Sequence, residues 1–209
     1  MADLVLILFL MTLLYMAIAN RMRSFVKILA LQGVLLFLVA LMQLKEYTGI
    51  GLAWILTETI VFKSIAVPCV LFRTIRRNKI TREAEPSLPQ FVSLLIATLI
   101  IAGSVLMAGM VDDAHLGKTF FVAALSAIFF GLYFIATLRK LLSHVMGYMV
   151  IENGVTVLAL AVGNEMPLLI NLGVMLDIFA SVLILGIFIN KIGDVFRDAD
   201  IGELTELRD

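Results

Sequence analysis

Residues 147–154 read GYMVIENG and lie inside an apolar run, 145–162, that is long enough to cross a bilayer. This stretch puts the carboxylate of Glu152 next to the carboxamide of the following residue, where water is scarce. A charge near the middle of a membrane costs at least about 3 kcal/mol, so such a group is a candidate functional group that needs a partner. The candidate partners are Lys63 and Asp177, which lie in two other apolar runs.

The composition is typical of an integral membrane protein. Of the 209 residues, 62% are hydrophobic and 15% are charged, which is too apolar for a soluble domain of this size. The apolar runs are continuous rather than alternating, and about 20 apolar residues cross a bilayer core of about 30 Å as a helix. The sequence therefore predicts an all-α membrane protein.

Several classes of function are disfavoured by what the sequence lacks. The single cysteine, Cys69, excludes a disulfide within the chain and any cysteine-based cluster or zinc site. The sequence has no Walker loop, dinucleotide fingerprint, nucleophile elbow or paired-histidine metal motif. We therefore expect no cofactor, no metal, no nucleic-acid partner and no catalytic activity of its own.

Hydropathy predicts seven transmembrane helices, at roughly Leu4–Ala19, Phe25–Leu44, Gly51–Phe72, Phe91–Met110, Thr119–Leu138, Ser143–Gly163 and Leu168–Asn190. Basic residues concentrate in four segments, which are 20–27, 73–89, 139–140 and the tail after 190. These four segments lie on one side of the membrane if the seven helices alternate in direction, and the connections on the other side carry only Lys45 and Lys118. By the positive-inside rule, the N-terminus lies outside and the C-terminus inside.

The chain divides into five segments. They are a three-helix N-terminal unit (1–80), a cytoplasmic proline-containing linker (81–90), an extra transmembrane helix with an outer loop (91–118), a second three-helix unit (119–190) and a cytoplasmic tail (191–209). Pro86 and Pro89 stop any helix from continuing through the linker.

The first three-helix unit is interpreted as a diverged copy of the second. The pair Gln32-Gly33 echoes Asn153-Gly154, and Lys63 takes the place of Asp177. If the two units are related in this way, Lys63 and the carboxylates lie along one continuous line.

Five ionisable side chains form the predicted proton path, namely Lys63, Glu152, Asp177, Glu58 and His144. Pro68 removes a backbone hydrogen bond just beyond Lys63, which suits a hydrated relay at that point. Because side chains on separate helices seldom touch, we expect water molecules to bridge these groups. Three further residues, Gly147, Gly154 and Asn153, are assigned to helix packing, since the two glycines share one face of the sixth span.

Each ionisable group also has a plainer interpretation. Glu152 and Asp177 could be hydrogen-bonded carboxyls that only fix helix packing, and Lys63 could extend its ammonium to the interface. Glu58 could be solvated in the outer third of its span. His144, at the cytoplasmic end of the sixth span, suits an interfacial residue better than a proton shuttle, although histidine titrates near neutral pH.

The chain resembles the hydrogenase-4 component E family, whose members are membrane subunits of complexes related to respiratory complex I. The residues that carry the resemblance are the 147–154 stretch, residues 177–180 (DIFA), Leu204-Thr205 in the tail, and Lys63 with Val67-Pro68. The resemblance extends over nearly the whole chain.

The region from Thr119 onward is also similar to the K subunit of complex I and the C subunit of multisubunit Na⁺/H⁺ antiporters. Aligned by Arg139 and Gly147, the second-helix glutamate of those families falls on Met149, and Glu152 follows one helical turn later. Their third-helix glutamate falls on Asp177.

These resemblances imply a non-catalytic subunit of a proton-translocating hydrogenase or complex I-related oxidoreductase in the inner (cytoplasmic) membrane. The intramembrane charges would form a lateral proton path between the redox module and antiporter-like subunits. The implied partners are those antiporter-like subunits, the subunits that anchor the hydrogenase or quinone module, and the lipid bilayer. A subunit of a cation/proton antiporter, a structural adaptor and a free-standing carrier stay open as alternatives.

Overall fold

The computed structural model describes residues 1–42, 63–65, 67–77, 88–111, 117–138, 141–162 and 186. These residues form six helices, which are α1 (Ala2–Ile18), α2 (Met22–Met42), α3 (Val67–Arg77), α4 (Gln90–Met110), α5 (Lys118–Thr137) and α6 (Leu141–Val162). A π-helical turn at 63–65 precedes α3. No β-strand occurs in these ranges, so the predicted all-α class is confirmed for the part of the chain that is described.

Four of the helices, α2, α4, α5 and α6, are long and apolar enough to cross a membrane. The shorter α1 has 17 residues and is also apolar. The ends of α1, α2, α4, α5 and α6 fall within three residues of the predicted spans. The predicted membrane protein is therefore confirmed in outline, whereas the total of seven spans and their orientation stay predictions. Residues 51–62 and 66 of the third span, and all of the seventh span except residue 186, lie outside the described residues.

Four helices surround a common core in the order α1, α2, α6, α5, with each helix packed against the next. In addition, α4 covers α1 and α5, and α3 packs against α2. The core contains fully buried side chains from all four central helices, including Leu6, Phe9, Val26, Leu36, Ala124, Phe130, Met146 and Val150. By contrast, α4 is the least buried of the long helices, and its exposed apolar side chains, such as Leu99 and Leu106, suit contact with lipid.

The directions of five helices follow from which of their ends lie together. A small cavity is lined together by Met16 near the end of α1, Phe25 near the start of α2, Ser93 near the start of α4 and Phe134 near the end of α5. Near the start of α6, Ser143 Oγ contacts the sulfur of Met22, the first residue of α2, at 3.8 Å. Therefore α1 and α5 run in one direction, and α2, α4 and α6 run in the other.

The contact between α5 and α6 is the most extensive among the described helices, and small residues face each other across it. A Cβ added to Gly147 would lie 2.7 Å from Ile135 Cγ1 and 3.0 Å from the carbonyl oxygen of Gly131. One added to Gly154 would lie 2.9 Å from the carbonyl oxygen of Ala124. The two backbones are thus in direct contact, the arrangement that small residues allow between membrane helices.

We expect Gly147→Ala to destabilise the protein by about 1–3 kcal/mol, the usual cost of overpacking. The added methyl group would meet backbone atoms of α5, which cannot move aside without separating the two helices. Thermal unfolding in detergent measures the effect. Gly103→Ala is the matched control, because nothing lies within 4 Å of the Cβ it adds in α4. If both variants unfold at the same temperature, the close contact is not important for stability.

Candidate functional site

An ion pair lies between α6 and the short segment before α3. Lys63 Nζ lies 2.8 Å from Glu152 Oε1, and the two side chains are only 5% and 7% exposed. Glu152 is near the middle of α6, so the pair sits far from either end of that helix. The structure therefore brings two of the predicted path residues into direct contact. The expectation that water would bridge these two groups is wrong, because the long lysine side chain reaches across the gap between its segment and α6.

Thr156, one helical turn after Glu152, completes this group. The Lys63 ammonium donates a hydrogen bond to Thr156 Oγ1. The Thr156 hydroxyl in turn donates to the backbone carbonyl of Glu152 at 3.0 Å. Residues four apart lie on the same face of a helix, so both partners of Lys63 come from one face of α6. The sequence analysis missed Thr156, although a threonine four residues after an intramembrane acid was a usable signal.

The two partners of Lys63 hold it in different ways. Glu152 Oε1, 2.8 Å from Nζ, attracts the ammonium as an opposite charge. Thr156 Oγ1 is a neutral oxygen that accepts a hydrogen bond from the same ammonium. We define the ion-pair cluster as Lys63, Glu152 and Thr156.

The backbone at Lys63 is held against α2 at a glycine. A Cβ added to Gly33 would lie 3.0 Å from the Lys63 carbonyl carbon and 3.0 Å from the Ser64 nitrogen. The π-helical turn at 63–65 lies here, and Pro68 follows it without a backbone N–H to donate. Single π-helical turns occur frequently at functional sites. The position of the lysine thus depends on a close approach that only glycine allows at this point.

A second polar group, the amide chain, lies beside the ion-pair cluster and connects α6, α2 and α1. Asn153 Nδ2 donates to Gln32 Oε1 at 3.0 Å, and Gln32 Nε2 donates to Thr12 Oγ1 at 2.9 Å. The Thr12 hydroxyl then donates to the carbonyl of Phe9 at 2.6 Å. All three polar side chains are buried. The sequence analysis named Asn153 and Gln32 but predicted no hydrogen bond between them, and it did not name Thr12.

The other residues predicted for the proton path and for helix packing lie outside the ion-pair cluster or outside the described residues. His144 is partly buried two helical turns before Glu152, so it does not join the ion-pair cluster. Gly147 and Gly154 face α5, whereas Asn153 and Glu152 meet residues from outside the α5–α6 contact. Glu58 and Asp177 lie outside the described residues. Within the described ranges, no three His, Cys, Asp or Glu side chains come together as a metal site.

Comparison with known proteins finds a relative of similar length. The chain is 26% identical over 191 residues to the uncharacterized protein Rv0085 of Mycobacterium tuberculosis. The alignment covers 90% of this chain and 87% of that protein. No family model matches the chain. No solved structure matches it either.

We expect Lys63→Met and Glu152→Leu each to destabilise the protein by about 3–5 kcal/mol, because each leaves an uncompensated buried charge. The double variant should recover most of that loss, since two apolar side chains of similar size leave no charge in the interior. Unfolding in detergent measures all three proteins. Lys118→Met, which removes an exposed lysine at the start of α5, is the control and should change little. Fully additive losses in the double variant would contradict a direct interaction.

Proposed function

We propose that this chain is a non-catalytic membrane subunit of a proton-translocating hydrogenase or a complex I-related oxidoreductase. In this proposal, Lys63 and Glu152 belong to a lateral proton path between the redox module and antiporter-like subunits. The observation that carries the proposal is the buried contact between their charged groups. Ionisable residues inside a membrane are costly, and they commonly mark proton or ion pathways.

The geometry suits an exchange of protons between the two groups. A proton that moves from the Lys63 ammonium to the Glu152 carboxylate leaves a neutral amine beside a neutral carboxylic acid. Arrival of a proton from a neighbouring group restores the lysine charge, and departure of one restores the carboxylate. Because the two groups are within 2.8 Å, the charge on each strongly affects the other. Glu58 and Asp177 are proposed as further members of the path, with His144 at its cytoplasmic end.

The proposal also includes the location of the protein. We place it in the inner (cytoplasmic) membrane with seven spans, its N-terminus outside and its C-terminus inside. The distribution of basic residues supports this orientation. The helix directions agree with it, since the ends of α1 and α5 and the starts of α2, α4 and α6 lie at one side, the side that carries Arg21 and Arg23.

A structural adaptor is the second candidate, and one observation favours it. Lys63 and Glu152 are in direct contact. If this ion pair never separates, its effect is structural, and it only holds α6 against the segment before α3. The amide chain would have the same effect between α6, α2 and α1. A subunit of a cation/proton antiporter would use the same groups without a redox partner.

The partner proteins can be tested by purification in mild detergent through a tag on the C-terminus. We expect antiporter-like subunits and a nickel-iron hydrogenase or quinone module to purify with the chain. Recovery with antiporter subunits alone would indicate the antiporter alternative. Recovery of the chain by itself, under conditions that preserve such complexes, would contradict the subunit proposal and favour a free-standing carrier.

Glu152→Gln tests the proton path in the assembled complex. Glutamine keeps the shape of the side chain and offers Lys63 a carbonyl oxygen that accepts a hydrogen bond. This acceptor offsets part of the cost of the lost negative charge, so the complex should assemble. It cannot exchange a proton, so proton movement driven by the redox reaction should be lost. A pH-sensitive dye in vesicles that contain the complex measures that movement. Asp3→Asn, at an exposed carboxylate in the first turn of α1, is the control. Undiminished proton movement in Glu152→Gln would favour the adaptor.

A further inference from the structure

Thr156 offers Lys63 an acceptor whose orientation is already fixed. A hydroxyl has one proton to donate and two lone pairs that accept. The proton of Thr156 goes to the backbone carbonyl of Glu152 at 3.0 Å, so only lone pairs are left for the lysine. Threonine is also branched at Cβ, which restricts rotation of its side chain. The hydroxyl oxygen is therefore held at one position on α6.

This acceptor differs from Glu152 in one physical respect. The attraction between Lys63 and Glu152 depends on both groups being charged, and it weakens as soon as the carboxylate takes up a proton. The hydroxyl of Thr156 is neutral, so its hydrogen bond with the lysine persists when Glu152 is protonated. Without that bond, a flexible four-carbon side chain would be free to adopt other rotamers at that moment.

We propose that Thr156 is a positioning residue of the proton path, a neutral acceptor that keeps the nitrogen of Lys63 beside Glu152 while the carboxylate gains and loses a proton. The inference rests on the proposed function. It assigns to Thr156 the role of preserving the short distance across which a proton passes, whereas Glu152 and Lys63 carry the proton itself.

The chain contains matched controls for this inference. Thr98 in α4 and Thr137 in α5 also donate to the carbonyl four residues earlier, at 2.9 and 2.8 Å. Thr98 is exposed and far from the ion-pair cluster, so Thr98→Val removes the same local hydrogen bond without affecting Lys63. A difference between Thr156→Val and Thr98→Val therefore isolates the contact with the lysine.

The test measures redox-driven proton movement in vesicles that contain the whole complex. Thr156→Val keeps the volume of the side chain and removes its hydroxyl. We expect it to slow proton movement by about tenfold or more, the factor that corresponds to losing one hydrogen bond to a charged group. Thr156→Ser keeps the hydroxyl and should restore the rate, and Thr98→Val should leave it unchanged. If Thr156→Val does not assemble, Thr156→Cys replaces it, since a thiol of similar size is a weak acceptor.

The outcomes separate this inference from the proposed function. If Glu152→Gln abolishes proton movement while Thr156→Val moves protons at the original rate, the role of Thr156 is overturned and the path itself is not. Equal losses in Thr156→Val and Thr156→Ser would also overturn it, because the serine hydroxyl keeps the acceptor. If Glu152→Gln moves protons normally, the proposed function fails, and the inference about Thr156 fails with it.

Discussion

The contact between Lys63 and Glu152 is the constraint on which the described part of the molecule depends. Two charges in an apolar interior are tolerated when each compensates the other and further polar groups contribute hydrogen bonds. Here the ammonium has both a carboxylate and a hydroxyl as partners. The contact requires α6 and the segment before α3 to keep one relative position. The close approach of that segment to Gly33 brings α2 into the same arrangement.

The neighbouring helices α5 and α2 hold α6, and with it Glu152, through contacts between uncharged groups. Close packing at Gly147 and Gly154 fixes α6 against α5, and the hydrogen bond between Asn153 and Gln32 fixes it against α2. Glu152 thus extends from a helix that is held on two sides. A side chain on a rigid helix keeps a more precise position than one on a loop, and the proposed transfer of a proton over a short distance would require that precision.

Much of the fold could be predicted from the sequence, because apolar runs of sufficient length indicate membrane helices directly. The sequence also offers only a few candidate partners for Glu152, because few ionisable residues occur within those apolar runs. Direct contact with Lys63 could not be predicted, because it depends on how each helix is rotated about its axis. Thr156 was missed because many membrane threonines bond only to their own helix, as Thr98 does.

The amide chain has a consequence for the direction in which charge can travel. Carboxyl and amine groups can bind and release protons, whereas the amides of Asn153 and Gln32 keep their hydrogens. The amide chain from α6 through α2 to Thr12 therefore provides buried hydrogen bonds, and its amides do not bind or release protons. In the proposed proton path, these groups would therefore not extend proton transfer from the ion-pair cluster toward α1.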